Sequence, residues 1–266
     1  MKYAICVPYG KTDKYRERNY NVVTGYLADV FTGKDATLVA AQDTNYPDLF
    51  NRGRALNRCI ERVSDADIYV FADIDFIVDP YYIQKGLQLV EASISGSNPE
   101  TFGLVAFPSY VIPYSTISFL KKSYTEKMLQ SSQVDWNPGP NATDLQWDRH
   151  STGGFNIVSR ENLEIIGGFD NRFITWGYED GAFDTVAATL IGEPVWLEHN
   201  CLHMWHPESF RNGKFAKQQE ECLRLAQRYD KARGNLKEVL VLREEALIAK
   251  RVSPIIIPKT GLFGAQ

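Results

Sequence analysis

Asp73 and Asp75 close an apolar run of Ile68, Tyr69, Val70, Phe71 and Ala72, and Asp79-Pro80 turns the chain away just beyond them. If the run is a strand that continues through the pair, alternation puts both carboxylates on one face. Carboxylates so placed are hard oxygen ligands for Mg²⁺ or Mn²⁺, which proteins commonly hold with one or two acids plus phosphate oxygens. A solvated turn would present the same two residues. Farther on, Trp176-Gly177-Tyr178-Glu179-Asp180 sets an indole beside adjacent carboxylates. An indole face packs on the C–H face of a sugar ring, and carboxylates accept hydrogen bonds from its hydroxyls. Glu179 and Asp180 also open a helix predicted over 181–190, where the dipole favours an ionised carboxylate able to take a proton from an attacking hydroxyl. A core tryptophan before an ordinary helix start reads the same way.

All four histidines, His150, His199, His203 and His206, lie in one stretch of the chain. His203 and His206 follow the apolar segment Val195-Trp196-Leu197. If a strand continues through them they face opposite sides, which leaves one as a metal ligand. Imidazole suits Mn²⁺-like ions, so one histidine would complete a site begun by a distant Asp-x-Asp.

The elements that must position these groups read as strands over 3–7, 36–41, 67–72 and 102–107, alternating with helices over 15–31, 49–63 and 81–94. That order predicts an α/β fold, a mostly parallel, doubly wound central sheet flanked by helices, with ligands bound beyond the carboxyl ends of the strands. Residues 133–151, rich in Asn, Pro, Gly, Asp and Trp, read as a long loop able to order over a bound ligand. A short strand at Ile157-Val158 and a helix over 160–166 follow. Residues 214–250 read as two charged helices broken near Gly234. The expected organisation is one domain over 1–212 with a C-terminal helical extension over 213–266 packed on it.

With 266 residues, 44% of them hydrophobic, the chain can bury a substantial core. A net charge of -4 gives no general attraction to nucleic acid or an anionic membrane. Any diphosphate site must then be locally charged, by a metal or a few arginines. Cys6, Cys59, Cys201 and Cys222 form no Cys-x-x-Cys pair and read as reduced thiols. The first apolar run stops at Pro8, too short for a signal peptide or a membrane span.

Taken in order, the blocks resemble the GT-A glycosyltransferases, particularly the β-1,4-galactosyltransferase-like group and its polypeptide N-acetylgalactosaminyltransferase and chondroitin-polymerase relatives. Val7-Pro8-Tyr9 with Arg16-Glu17-Arg18 resembles the first strand and Arg-x-Arg of that group. Phe50-Asn51-Arg52-Gly53-Arg54-Ala55-Leu56-Asn57 is similar to its Phe-Asn-Arg helix start. Asp73-Ile74-Asp75 matches the D-x-D, Gly153-Gly154 and Gly167-Gly168-Phe169 the next block, and Trp176 to Asp180 resembles Trp-Gly-Gly-Glu-Asp. These blocks span roughly residues 3–206.

The resemblance implies a GT-A, Rossmann-like catalytic domain that moves a sugar from a nucleotide-sugar, a UDP-hexose or UDP-N-acetylhexosamine, to a hydroxyl acceptor such as a glycan. By position, Arg16, Arg18, Phe50 and Arg52 would border uracil and ribose, with Pro8, Tyr9 and Gly154 on the donor side. Asp75 and His203 would bind Mn²⁺ or Mg²⁺, and Asp73 would sit by the ribose or the metal. Trp176 and Glu179 would hold sugar hydroxyls, and Asp180 would be the base of an inverting transfer, since retaining relatives carry Asn after the Glu. Tyr178 replaces the second glycine of Trp-Gly-Gly, which would narrow the donor or acceptor pocket. The anchor and stem of Golgi members are missing, so a cytoplasmic enzyme of bacterial or viral origin is expected. Two other readings use the same features: a non-catalytic glycan- or nucleotide-binding module of this fold, and a sugar nucleotidyltransferase, for which Gly10-Lys11 is a poor triphosphate loop.

Overall fold

The computed structural model describes residues 1–10, 13–42, 50–96, 110–131, 133–148, 152–174, 177–207 and 215–252. The strand predicted over 102–107 lies outside them, as do Lys11, Leu49, His150, Trp176, Lys214 and residues 253–266.

The chain runs β1 (Lys2–Pro8), α1 (Lys14–Val30), β2 (Asp35–Ala41), α2 (Arg52–Arg62), β3 (Ile68–Ala72), β4 (Phe76–Ile77) and α3 (Pro80–Ser95). It continues through β5 (Tyr110–Ile112), β6 (Thr116–Leu120), α4 (Lys122–Met128), β7 (Thr143–Asp148), β8 (Phe155–Ser159), α5 (Arg160–Ile166) and α6 (Glu179–Leu190). Last come β9 (Val195–Trp196), β10 (Asn200–His203), α7 (Ala216–Ala232) and α8 (Leu236–Val252). Local chemistry sets several boundaries. Asp79 caps α3 by accepting from Tyr81 N at 2.8 Å, Pro80 takes the first turn, and Gly96 ends the helix at φ 64.

The main sheet has strand order β2-β1-β3-β8-β5-β9. β8 pairs antiparallel with both β3 and β5, and the other pairings are parallel, so β8 alone runs against its five companions. All five residues of β3 are buried, as in a strand covered on both faces. Phe71 on one face meets Phe169 and Phe183 of α6. On the other, Ile157 packs so closely on Gly86 of α3 that a Cβ there would come within 2.8 Å of its methyl. Helices therefore cover both faces, as the α/β pattern predicts.

A second sheet, β4-β10-β6-β7, stands beside the carboxyl end of β3. It corrects the expectation of a loop over 133–151, because residues 143–148 form its edge strand β7. α7 and α8, broken at Gly234, lie against α6 and the loop before it. Tyr229 donates to Asp170 at 2.9 Å, Arg233 pairs with Asp184 at 2.7 Å, and Arg172 pairs with Glu245 at 2.5 Å. All four cysteines are buried and free. No helix among the described residues is long and apolar enough to cross a membrane.

Candidate active site

β3 stops at Ala72, where Asp73 N donates to Gly154 O at 2.8 Å. Asp73 to Asp75 then form a tight turn, closed by Phe76 N on Asp73 O at 3.3 Å. The alternation of a strand no longer applies, so the two aspartates part, correcting the expectation of a shared face. Asp75 turns to the histidines and Asp73 to Arg52.

On the first side, Asp75, His203 and His206 each offer a ligand atom, all within 4.8 Å of one another. Asp75 Oδ2 lies 2.9 Å from His206 Nε2 and 3.8 Å from His203 Nε2. The strand that would have sent the imidazoles to opposite sides ends at His203, and Met204 N is tied to Asp75 O at 2.7 Å. The chain then bends back, so both histidines converge. His206 Nδ1 is 2.9 Å from Pro207 O. Arg16 Nη2, which can only donate, lies 2.8 Å from the same nitrogen, and Nε2 faces the space shared with Asp75. Burial works against ionisation of Asp75, yet His203 and His206 outweigh it and hold the carboxyl far below its usual range. Burial pushes the His203 pKa down, whereas at His206 the Asp75 carboxylate overcomes burial and pushes it up. One carboxylate and two imidazoles fit a divalent cation of the Mn²⁺ kind. Asp73, named as a third ligand from the sequence, is not in this group because Arg52 holds it.

On the second side, Arg52 at the start of α2 gathers three carboxyl groups. Its Nε donates to Asp73 Oδ1 at 2.6 Å, and its Nη1 reaches Glu179 Oε1 at 3.4 Å and Asp180 Oδ1 more closely. Its Nη2 is buried with no hydrogen-bond partner among the described residues. Burial would lower the guanidinium pKa, but Asp180, Asp73 and Glu179 together raise it. One cation cannot keep three crowded acids ionised. Burial, with Asp180 as the nearest like charge, pushes Glu179 up to about 8. Burial also takes Asp73 to about 7, against the pull of Arg52.

Glu179 and Asp180 stand at the first turn of α6 behind Tyr178, whose φ of 74 is left-handed. Gly153 lets the Asp180 carboxylate lie against the backbone, since a Cβ there would overlap it. Gly154 has φ 91, and a Cβ on it would enter the Phe76 ring. The Tyr114 hydroxyl donates to Gly153 O, a contact that sequence reading missed.

The remaining residues named from the sequence are more dispersed. Pro8 ends β1, Tyr9 is buried with its ring stacked 4.3 Å from Tyr20, and the Phe50 ring covers Gly10. Arg16 binds Asp13 at 2.7 Å and lies 2.8 Å from His206 Nδ1. Arg18 donates to Asn19 Oδ1 at 2.8 Å and to Trp205 O at 3.2 Å. Both arginines brace the segment that carries His206. Trp176 lies outside the described residues.

Residues 143–185 match the family model described as the N-terminal domain of galactosyltransferase. No curated protein matches the chain. Among solved structures, the catalytic domain of Drosophila β1,4-galactosyltransferase 7 in complex with xylobiose is 15% identical, covering 84% of this chain and 79% of that one at a TM-score of 0.49. Glucosyl-3-phosphoglycerate synthase from Mycobacterium tuberculosis, in complex with Mn²⁺, UDP and glucosyl-3-phosphoglycerate, is 12% identical over 87% of this chain and 79% of that one, with a TM-score of 0.46. S. aureus TarS is 12% identical over 93% of this chain and 42% of that one, also at 0.46. The matched segment runs from β7 into α6 and so contains Gly153, Gly154, Glu179 and Asp180. Over that segment, which the mixed sheet positions, the chain is similar to the galactosyltransferase family.

Proposed function

We propose that this chain is a metal-dependent, inverting glycosyltransferase that moves a hexose or N-acetylhexosamine from UDP to a hydroxyl of a glycan acceptor. The observation that carries the reading is the division at the Asp73–Asp75 turn: a carboxylate–imidazole cation group on one side, and an arginine-clamped acid pair on the other. A divalent cation held by Asp75, His203 and His206, with the imidazoles favouring Mn²⁺, would neutralise charge on a departing diphosphate.

The chain's own groups supply the rest. Asp180, paired with Arg52 and the more open of the two acids on α6, accepts the proton of the acceptor hydroxyl. Glu179, buried and protonated at neutral pH, donates a hydrogen bond to a sugar hydroxyl. The unpartnered Arg52 Nη2 offers a fixed donor to a ligand oxygen. UDP and inversion are supported by the likeness of the Trp-Gly-x-Glu-Asp block and its Asp180. A nucleotidyltransferase fits less well, because Phe50 covers the glycine at which a triphosphate loop would open.

Melting temperature in UDP, with Mn²⁺ or EDTA, tests the donor site. UDP at about a hundred times its Kd should stabilise by ~2.7 kcal/mol. The expected shift requires Mn²⁺ and disappears in Asp75→Ala. Transfer from UDP-sugars should fall by about 10²–10⁴-fold in Asp180→Asn while the shift persists. Tight UDP binding with no transfer by the wild type would instead mark a non-catalytic binding module.

A further inference from the structure

The second sheet carries an aromatic row from the cation group out to solvent. Opposite residues in paired strands share a face, and the register sets Leu145 against Phe119, Phe119 against His203, and His203 against Phe76. Trp147, two residues beyond Leu145 on β7, points to the same side. Its ring meets that of Phe119 at 4.7 Å, and Phe119 meets His203 at another 4.7 Å. The row is buried at Phe76 and opens outward: Trp147 is 38% exposed and Leu145 46%. An edge strand usually presents charge or polarity to solvent, because exposed apolar edges invite aggregation. Here the large apolar side chains lie on the face shared with a candidate metal ligand, and the polar Gln146 goes to the other face, bonded to Ser118 at 2.9 Å.

We infer that Trp147, backed by Phe119 and flanked by Leu145, is a stacking subsite for a sugar ring of the acceptor. The inference rests on the transferase reading above and specifies where that acceptor lies. An indole offers a flat, polarisable face to the C–H side of a pyranose. Two ring contacts separate Trp147 from His203, a span that a short saccharide covers. The nucleotide has a different place. Arg16 approaches the cation group at His206, and Arg52 lies on α2 beside β1, so the donor enters from the main sheet. Trp147 stands beyond His203 on the far strand of the second sheet. The segment matched by the galactosyltransferase model begins at residue 143, so this strand and Asp180 belong to one sequence unit.

The test titrates lactose, cellobiose, maltose, xylobiose and diacetylchitobiose against wild type, Trp147→Ala and Trp147→Phe by saturation-transfer NMR, with UDP and Mg²⁺ present. The UDP–Mn²⁺ melting shift is measured on all three proteins. The expected result is saccharide binding by the wild type, weakened about tenfold or more in Trp147→Ala and largely restored in Trp147→Phe, with equal UDP shifts throughout. Unchanged saccharide affinity in Trp147→Ala overturns the inference, as does a panel that the wild type does not bind. Loss of the UDP shift in Trp147→Ala also overturns it and assigns the indole to the nucleobase. A wild type with no UDP shift but Trp147-dependent saccharide binding strikes the transferase reading and leaves the subsite standing.

Discussion

Arg52 sets the chemistry of its neighbours by being outnumbered. With Asp73, Glu179 and Asp180 around one guanidinium, the most buried acid gives up its charge first: burial, then the Asp180 charge, pushes Glu179 up to about 8. A protonated Glu179 donates a hydrogen bond; an ionised one adds repulsion beside Asp180. Transfer should therefore decline as pH rises through about 8, and Glu179→Gln, neutral throughout, should flatten that limb in initial-rate measurements. Tyr178 illustrates a different local cost. A side chain at φ 74 is held against its own carbonyl at about 1 kcal/mol, which glycine avoids. Tyr178→Gly should raise the urea midpoint by up to about that equivalent, less the entropy that glycine adds to the unfolded chain. A lower midpoint would mean that contacts of the tyrosine ring outweigh the strain.

Elements joined across long stretches of chain explain what could be read early and what could not. β1, β2, β3 and the helices α1, α2, α3, α5 and α6 show their periodicity within one short window each. β6 and β7 do not. β6 pairs with β10, whose Asn200 faces Thr116, so its reason to be a strand lies far along the chain. The alternation of Leu145 and Trp147 was a signal for β7, masked by the turn-rich residues just before it. The site followed the same rule. Asp75 and His203 were nameable by resemblance, but the convergence of His206 depends on where β10 ends, and the Arg52 cluster on how α2 meets α6. Asn57 shows how that meeting is fixed: it donates to Phe169 O and Asn171 Oδ1, each at 2.8 Å, and accepts from Phe169 N at 3.0 Å. Asn57→Ala leaves those buried groups unpaired and should cost about 1–3 kcal/mol in urea unfolding.

At the scale of the whole molecule, the C-terminal helices hold α6 from behind. Glu245 takes Arg172 at 2.5 Å and Arg228 at 2.7 Å, and the hydrogen bond from Arg228, then that from Arg172, depresses its pKa to about 2. A depressed carboxyl pKa stabilises the fold above its unfolded value and ceases to do so as pH falls through the folded one. The stability gap between wild type and Glu245→Gln should thus be full at about pH 6 and shrink between about pH 4.5 and pH 2, as read from denaturant midpoints. We propose on the same grounds that α7 and α8, the described part of the extension expected over 213–266, belong to the catalytic unit.

The reversed strand β8 carries a consequence of another kind. Its neighbours arrive at the site with their last residues, whereas β8 departs from it with its first, Phe155 beside Ala72. On the transferase reading proposed above, chain length added ahead of β8 would enlarge the wall beside the second sheet and leave the ends of β1, β2 and β3 unaltered. A transferase wired this way would let its acceptor wall be rebuilt while the edge that meets the nucleotide stays as it is.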